Sequence, residues 1–197
     1  MTPPVRLPTV VLFDVDGTLI DSGGAGARSW THAFDKLYGI SADIGSHTAA
    51  GETDPVRTSE GYRVLEGVED LLPMLSDAGT MLGLVSGAME GAARVKLSRA
   101  DLNRFFVFGG YGSDSDDRAK LTRGAIGKAA MLHGHDVTPD RVFVVGDTPL
   151  DVEAARAVGA VSVAVASGKF SVEELRWAGA RHVLPSLAAR FPEMSER

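Results

Sequence analysis

The sequence predicts an α/β fold, an open, doubly wound parallel sheet with a small, partly helical insertion after its first strand. Three observations predict it. Short apolar runs recur and end in Gly, Ser or Asp, amphipathic stretches of helical length lie between them, and about 65 residues separate the first run from the second. One crossover needs far fewer residues than that.

The apolar runs are Val10 to Val15, Met81 to Val85, Phe105 to Phe108, Val142 to Val145 and Val161 to Val165. They are near-continuous rather than alternating, as expected of strands covered by helices on both faces. Helices are expected over Val68 to Ala78, Met89 to Ala100, Asp117 to Leu132 and Pro149 to Val158. Pro73 falls inside the first, and Gly124 and Gly127 weaken the third. The fourth has both ends marked: Thr148 as cap, Pro149 at the first position, Asp151 where a capping box places an acid, and Gly159 for the left-handed exit. Within the insertion, Ala25 to Tyr38 reads as a helix with Trp30, Phe34 and Leu37 at packing intervals, whereas Gly39 to Arg63 is polar and poorly periodic. The expected division is therefore a core of residues 1–21 and 67–197 and an insertion of residues 22–66.

A chain of 197 residues, 44% hydrophobic and 23% charged, is long enough for one well-filled core with a modest insertion. The absence of cysteine excludes disulfides, a thiol nucleophile and thiolate zinc sites, so any metal must bind oxygen or imidazole. A net charge of −6 argues against broad nucleic-acid tracking, which needs clustered Lys and Arg. No apolar run reaches the roughly 20 residues of a membrane span, and Met1-Thr2-Pro3-Pro4 lacks signal-peptide character. A cytoplasmic protein without membrane or nucleic-acid partners is expected.

Ligands of such sheets bind at the carboxyl ends of the strands. Asp14-Val15-Asp16-Gly17-Thr18 brings two carboxylates to the first of these ends. An isolated pair of this kind usually starts a turn, but crowded acids repel, and a bound magnesium ion explains both. Ser86-Gly87 ends the second run and offers a hydroxyl and backbone amides for phosphate oxygens, though turn chemistry alone accounts for it. Asp147, in Gly146-Asp147-Thr148-Pro149-Leu150-Asp151, adds a carboxylate at another strand end, while Asp151 reads first as a helix-capping acid. Arg118 and Lys120 place cations where a helix start favours acids, which suits a nearby anion or a solvated surface. His133-Gly134-His135 follows a helix without a third ligand in evident reach and reads as C-terminal capping or exposed surface.

Taken in this order, these pieces, spanning residues 10 to 151, resemble the haloacid dehalogenase-like (HAD) superfamily, in the branch similar to phosphoglycolate phosphatase. The resemblance implies a Rossmann-like sheet and a magnesium-dependent phosphatase acting on a small phosphorylated substrate through an aspartyl-phosphate. Asp14 is then the nucleophile and Asp16 the general acid and base. Thr18, Ser86, Gly87 and Arg118, chosen over Lys120 for its two-pronged grip, hold phosphate. Asp14, Asp147 and Asp16, the last through its main-chain carbonyl, hold Mg2+ with Asp151 behind them. The insertion is shorter than the usual helical cap of such relatives, so a homo-oligomer that completes the lid is a further expectation. Gly51-Glu52-Thr53-Asp54 resembles a cap loop, and it and Arg28 read first as surface and second as substrate contacts.

Several rivals share these features. A receiver domain also gathers acids, a hydroxyl and a cation, but it expects an acceptor Asp after the third strand and has no such insertion. A 2-haloacid dehalogenase has no use for Asp16, since halide leaves without protonation. A phosphomutase and a non-catalytic phosphate- or partner-binding module complete the alternatives.

Overall fold

The strand Val10–Phe13 (β1) is fully buried and has a parallel neighbour on each side. It is the axis of a computed structural model that describes residues 8–24, 28, 35–37, 39 and 61–193. After β1 the chain turns into a short strand, Ile20–Asp21 (β2), which pairs antiparallel with Arg63–Val64 (β3). The two ends of the insertion thus lie side by side. Then follow α1 (Val68–Asp77), β4 (Met81–Ser86), α2 (Glu90–Ser98), a 3-10 turn at Leu102–Phe105, β5 (Phe108–Tyr111) and α3 (Arg118–His133). The chain finishes with a 3-10 turn at Pro139–Arg141, β6 (Val142–Gly146), α4 (Pro149–Ala157), β7 (Val161–Val165), α5 (Val172–Trp177) and β8 (His182–Leu184).

The main sheet has six parallel strands in the order β5-β4-β1-β6-β7-β8. The chain winds outward from β1 through β4 to β5, then resumes at β6 on the other side of β1. Connections therefore diverge at β1 and open a crevice at the carboxyl ends of β1, β4 and β6.

Side-chain alternation along β1 divides the core between the two faces. Val11 and Phe13 join Leu71, Leu72 and Leu75 of α1 and Ala93 and Leu97 of α2. Val10 and Leu12 join Leu121, Ala125 and Ala129 of α3 and Ala155 of α4. Both faces are buried, which explains the unbroken apolar runs.

The structure corrects the sequence reading in several places. The run Phe105 to Phe108 is not a strand: Leu102–Phe105 is a 3-10 turn and β5 spans Phe108–Tyr111, with Gly109 and Gly110 inside it. The reason is a close approach, because a Cβ on Gly110 would lie 2.2 Å from the carbonyl oxygen of Leu121 in the covering helix. The hairpin β2–β3, helix α5 and edge strand β8 were not expected from the apolar pattern. In α3, Gly124 and Gly127 are exposed and the helix continues past them to His133, where Gly134 takes the left-handed cap. In the insertion, Arg28 and residues 35–37 are helical, and Arg28 donates to the Gly23 carbonyl at 2.6 Å on the exposed surface. Trp30, Phe34 and Gly51 to Asp54 lie outside the described residues.

Phe143 of β6 is fully buried and stacks at a tilt on Phe191, ring centres 6.1 Å apart. Phe143→Ala is expected to cost roughly 3–5 kcal/mol and to lower Tm by roughly 6–20 °C, as checked by thermal unfolding followed by circular dichroism.

Candidate active site

Each strand end around the crevice contributes a polar group. The N–H of Asp14 donates to the Val145 carbonyl at 2.8 Å, carrying the β1–β6 ladder one residue past the strand. The chain then turns sharply: Leu19 and Ile20 donate back to Val15, and Gly17 donates to Ile20 at 2.8 Å. Gly17 has φ of 85°, and a Cβ there would lie 2.4 Å from an Asp147 carboxylate oxygen. From the far side, a Cβ on Gly168 would stand 1.8 Å from the same oxygen. Asp147 is thus seated between two backbones that only glycine lets so close. Thr18, fully buried, donates to Asp147 Oδ1 at 3.1 Å, and Ser167 donates to the Gly17 carbonyl at 2.7 Å.

Arg118 enters from the first turn of α3, whose start is capped by the Asp117 carboxylate accepting from the N–H groups of Ala119 and Lys120. Its Nη2 lies 2.6 Å from Asp14 Oδ1, and its Nε donates to Asp151 Oδ1 at 2.7 Å. A further contact at 3.4 Å reaches the Val85 carbonyl at the end of β4. Lys120, the other candidate cation, is exposed. Asp151 is committed on both sides, because its Oδ2 also accepts the N–H and hydroxyl of Thr148 at 3.0 and 2.7 Å and so caps α4. Ser86 is buried at the end of β4, and its hydroxyl accepts from the Ala88 N–H at 3.1 Å, while Gly87 beside it is exposed.

Asp14, Asp147 and Asp151 are 8%, 5% and 2% exposed, and each offers an oxygen within 4.8 Å of the others. Burial pushes the Asp14 carboxyl up to about 8 against the pull of Arg118, and Asp151, Asp147 and Asp16 push it further the same way. Burial and then Asp151 raise Asp147 to about 6, with the Thr18 hydrogen bond opposing. For Arg118 burial works against the charge, yet Asp14 and Asp151 more than offset it and raise its pKa. Three crowded, desolvated carboxylates are a donor set of the hard oxygen type that magnesium takes. The residues present fit that ion.

Asp16 has a cation of its own. Its Oδ2 accepts from Lys96 Nζ at 2.8 Å, and Lys96, on α2, is 1% exposed. The sequence reading missed Lys96 because a charged helical residue is ordinarily solvated surface. The signal was its place on the inward face, four residues after Ala92 and three after Ala93, both buried. It also missed Ser167 and Gly168, which follow the fifth apolar run. That strand end carries no acid to mark it.

The fold and the site define an α/β protein with a buried carboxylate cluster at the switch point of a parallel sheet. A family model described as "HAD-hyrolase-like" matches residues 118–189. Phosphoglycolate phosphatase of Rhodospirillum rubrum is 30% identical over 224 aligned residues, covering 93% of this chain and 89% of that protein. Tyrosine-protein kinase PtkA of Mycobacterium tuberculosis is 26% identical over 191 residues, covering 84% of this chain, which spans 64% of the length of that relative. Among solved structures, CbbY from Rhodobacter sphaeroides in complex with phosphate superposes with a TM-score of 0.73 at 18% identity, covering 93% of this chain and 96% of that one. The chain belongs to the haloacid dehalogenase-like superfamily of hydrolases, in its phosphoglycolate phosphatase-like branch.

Two expected outcomes test the geometry. Asp147 has a raised folded-state pKa, so its charged form is disfavoured by folding, and its contribution falls as pH rises from the ordinary carboxyl value of 3.8 through about 6. The Tm of the metal-free protein minus that of Asp147→Asn should therefore decline over that window and level off above it; a flat difference would contradict the burial. Gly168→Ala should displace the Asp147 carboxylate and, where the acid cluster holds Mg2+, weaken that binding at least about tenfold, as measured by calorimetric titration.

Proposed function

We propose that this chain is a magnesium-dependent phosphatase that hydrolyses a small phosphate monoester through an aspartyl-phosphate intermediate. One observation carries the reading: Asp14, buried at the mouth of the central strand, has one carboxylate oxygen held by the Arg118 guanidinium at 2.6 Å among two further buried acids. A nucleophile that must approach an anionic phosphate needs such charge compensation, and phosphoryl transfer asks mainly for alignment and neutralisation.

In the first step an Asp14 oxygen forms the new bond to phosphorus as the ester oxygen departs, and Asp16 gives that oxygen a proton. In the second, water attacks the phosphorus, Asp16 takes its proton, and Asp14 is released. Arg118, Ser86 and the Gly87 backbone are assigned to the phosphate oxygens. Thr18 was expected beside them, but its hydroxyl is spent on Asp147, which supports a role in orienting that carboxylate. Asp14, Asp147 and the main-chain carbonyl of Asp16 are the assigned holders of Mg2+, with Asp151 behind them. When bound, the ion supplies neutralisation of the phosphate charge.

Residues 22–66 are assigned to a short lid over a core of residues 1–21 and 67–197, completed by a second copy of the chain. The substrate class is a small phosphorylated compound and the compartment the cytoplasm. Among the described residues, no helix is long and apolar enough to cross a membrane.

Phosphate release from a panel of phosphate esters tests the proposal. Asp14→Asn is expected to lower kcat by at least about 10³-fold, and EDTA to abolish turnover reversibly, with Mg2+ restoring it. Equal rates for the native chain and the variant, or metal-independent turnover, would reject it.

A further inference from the structure

Lys96 is among the largest fully buried side chains of the protein. Lysine is almost never so buried unless paired, and here the ammonium donates to Asp16 Oδ2 at 2.8 Å. The pair is lopsided: the Lys96 side chain is 2% exposed, whereas that of Asp16 is 24% exposed. The other carboxylate oxygen, Oδ1, is buried and has no hydrogen-bond partner among the described residues. A pair that served packing alone would be expected to satisfy both oxygens, since a buried acceptor left open is costly.

The backbone that carries Lys96 is itself fastened. Tyr62 donates its hydroxyl to the Lys96 carbonyl at 2.9 Å, and the Arg99 guanidinium lies over the Tyr62 ring at 4.6 Å. Ala92, Ala93 and Leu97 are buried on the same face of α2. The ammonium is therefore presented to Asp16 from a rigid support, which is how a positioning group has to be built.

We infer that Lys96 is a positioning residue that reserves Asp16 Oδ2 and leaves Oδ1 as the oxygen that exchanges the proton in phosphate-ester hydrolysis. The inference rests on the phosphatase reading above. An ammonium has three donors and no acceptor, so Oδ2 accepts from it whether or not Asp16 carries a proton. The acid's proton then sits on Oδ1. As the Asp14–phosphorus bond forms and the bond to the leaving oxygen breaks, that proton passes from Oδ1 to the leaving oxygen. As water's oxygen bonds to phosphorus and the acyl-phosphate bond breaks, a proton from the water returns to Oδ1. Lys96 neither gains nor loses one.

The test compares first-turnover rates on n-butyl phosphate, whose alkoxide needs a proton to leave, with those on 4-nitrophenyl phosphate, whose phenolate does not. Lys96→Met is expected to slow the alkyl ester about 100-fold and the aryl ester by no more than about threefold. Lys96→Gln, which keeps a donor, should recover about tenfold of the loss. In an Asp16→Asn background, adding Lys96→Met should change neither rate further; this double variant removes both charges and serves where the single one fails to fold. Equal losses on both esters, an undiminished alkyl rate, or an additional loss in the Asp16→Asn background would overturn the role of Lys96. Undiminished turnover by Asp14→Asn would instead overturn the phosphatase reading on which it rests.

Discussion

Asp14, Asp147 and Asp151 stand with oxygens within 4.8 Å of one another in a buried crevice, and the Arg118 guanidinium bridges two of them. Like charges so close, removed from water, oppose one another and the fold that gathers them. Much of the surrounding structure answers that opposition. The β1–β6 ladder extends to the Asp14 N–H, the capped start of α3 brings in the guanidinium, and two glycines admit backbone close enough to seat Asp147. Three acids against one guanidinium leave an excess of oxygen donors, a set of the kind that suits a hard cation.

Asp151 shows how structural and chemical duties become inseparable at such a place. One of its oxygens ends the backbone of α4 and the other holds the side chain that enters from α3. Because the two helices pack against each other beside the crevice, the cap of one fixes the reach of the cation from the other. The acid looked like an ordinary capping residue in the sequence, and it is one. What the one-dimensional pattern does not carry is its second partner, 33 residues away.

The same distinction separates what was legible from what was not. Strands buried on both faces leave near-continuous apolar runs, so β1, β4, β6 and β7 were readable within a residue or two. The acids at the ends of β1 and β6 were readable because apolar runs seldom stop on carboxylates without reason. The run through Phe105 misled because aromatic residues continue unbroken from a 3-10 turn into a strand. β8, three residues long at the sheet edge with His182 only half-buried, has too little apolar pattern to register. Lys96 stayed hidden because its meaning depends on Asp16, 80 positions earlier in the chain.

The small hairpin of β2 and β3 sets the stem of the insertion, with Ile20 opposite Val64 and Asp21 opposite Arg63. Once two ends are clasped in register, the length between them matters little, since doubling a loop adds only about 0.6 kcal/mol of closure entropy. Among the described residues, the charged groups of the crevice come from outside that stem. Chain above the clasp can thus change in length while the described charged groups below it keep their places on the sheet.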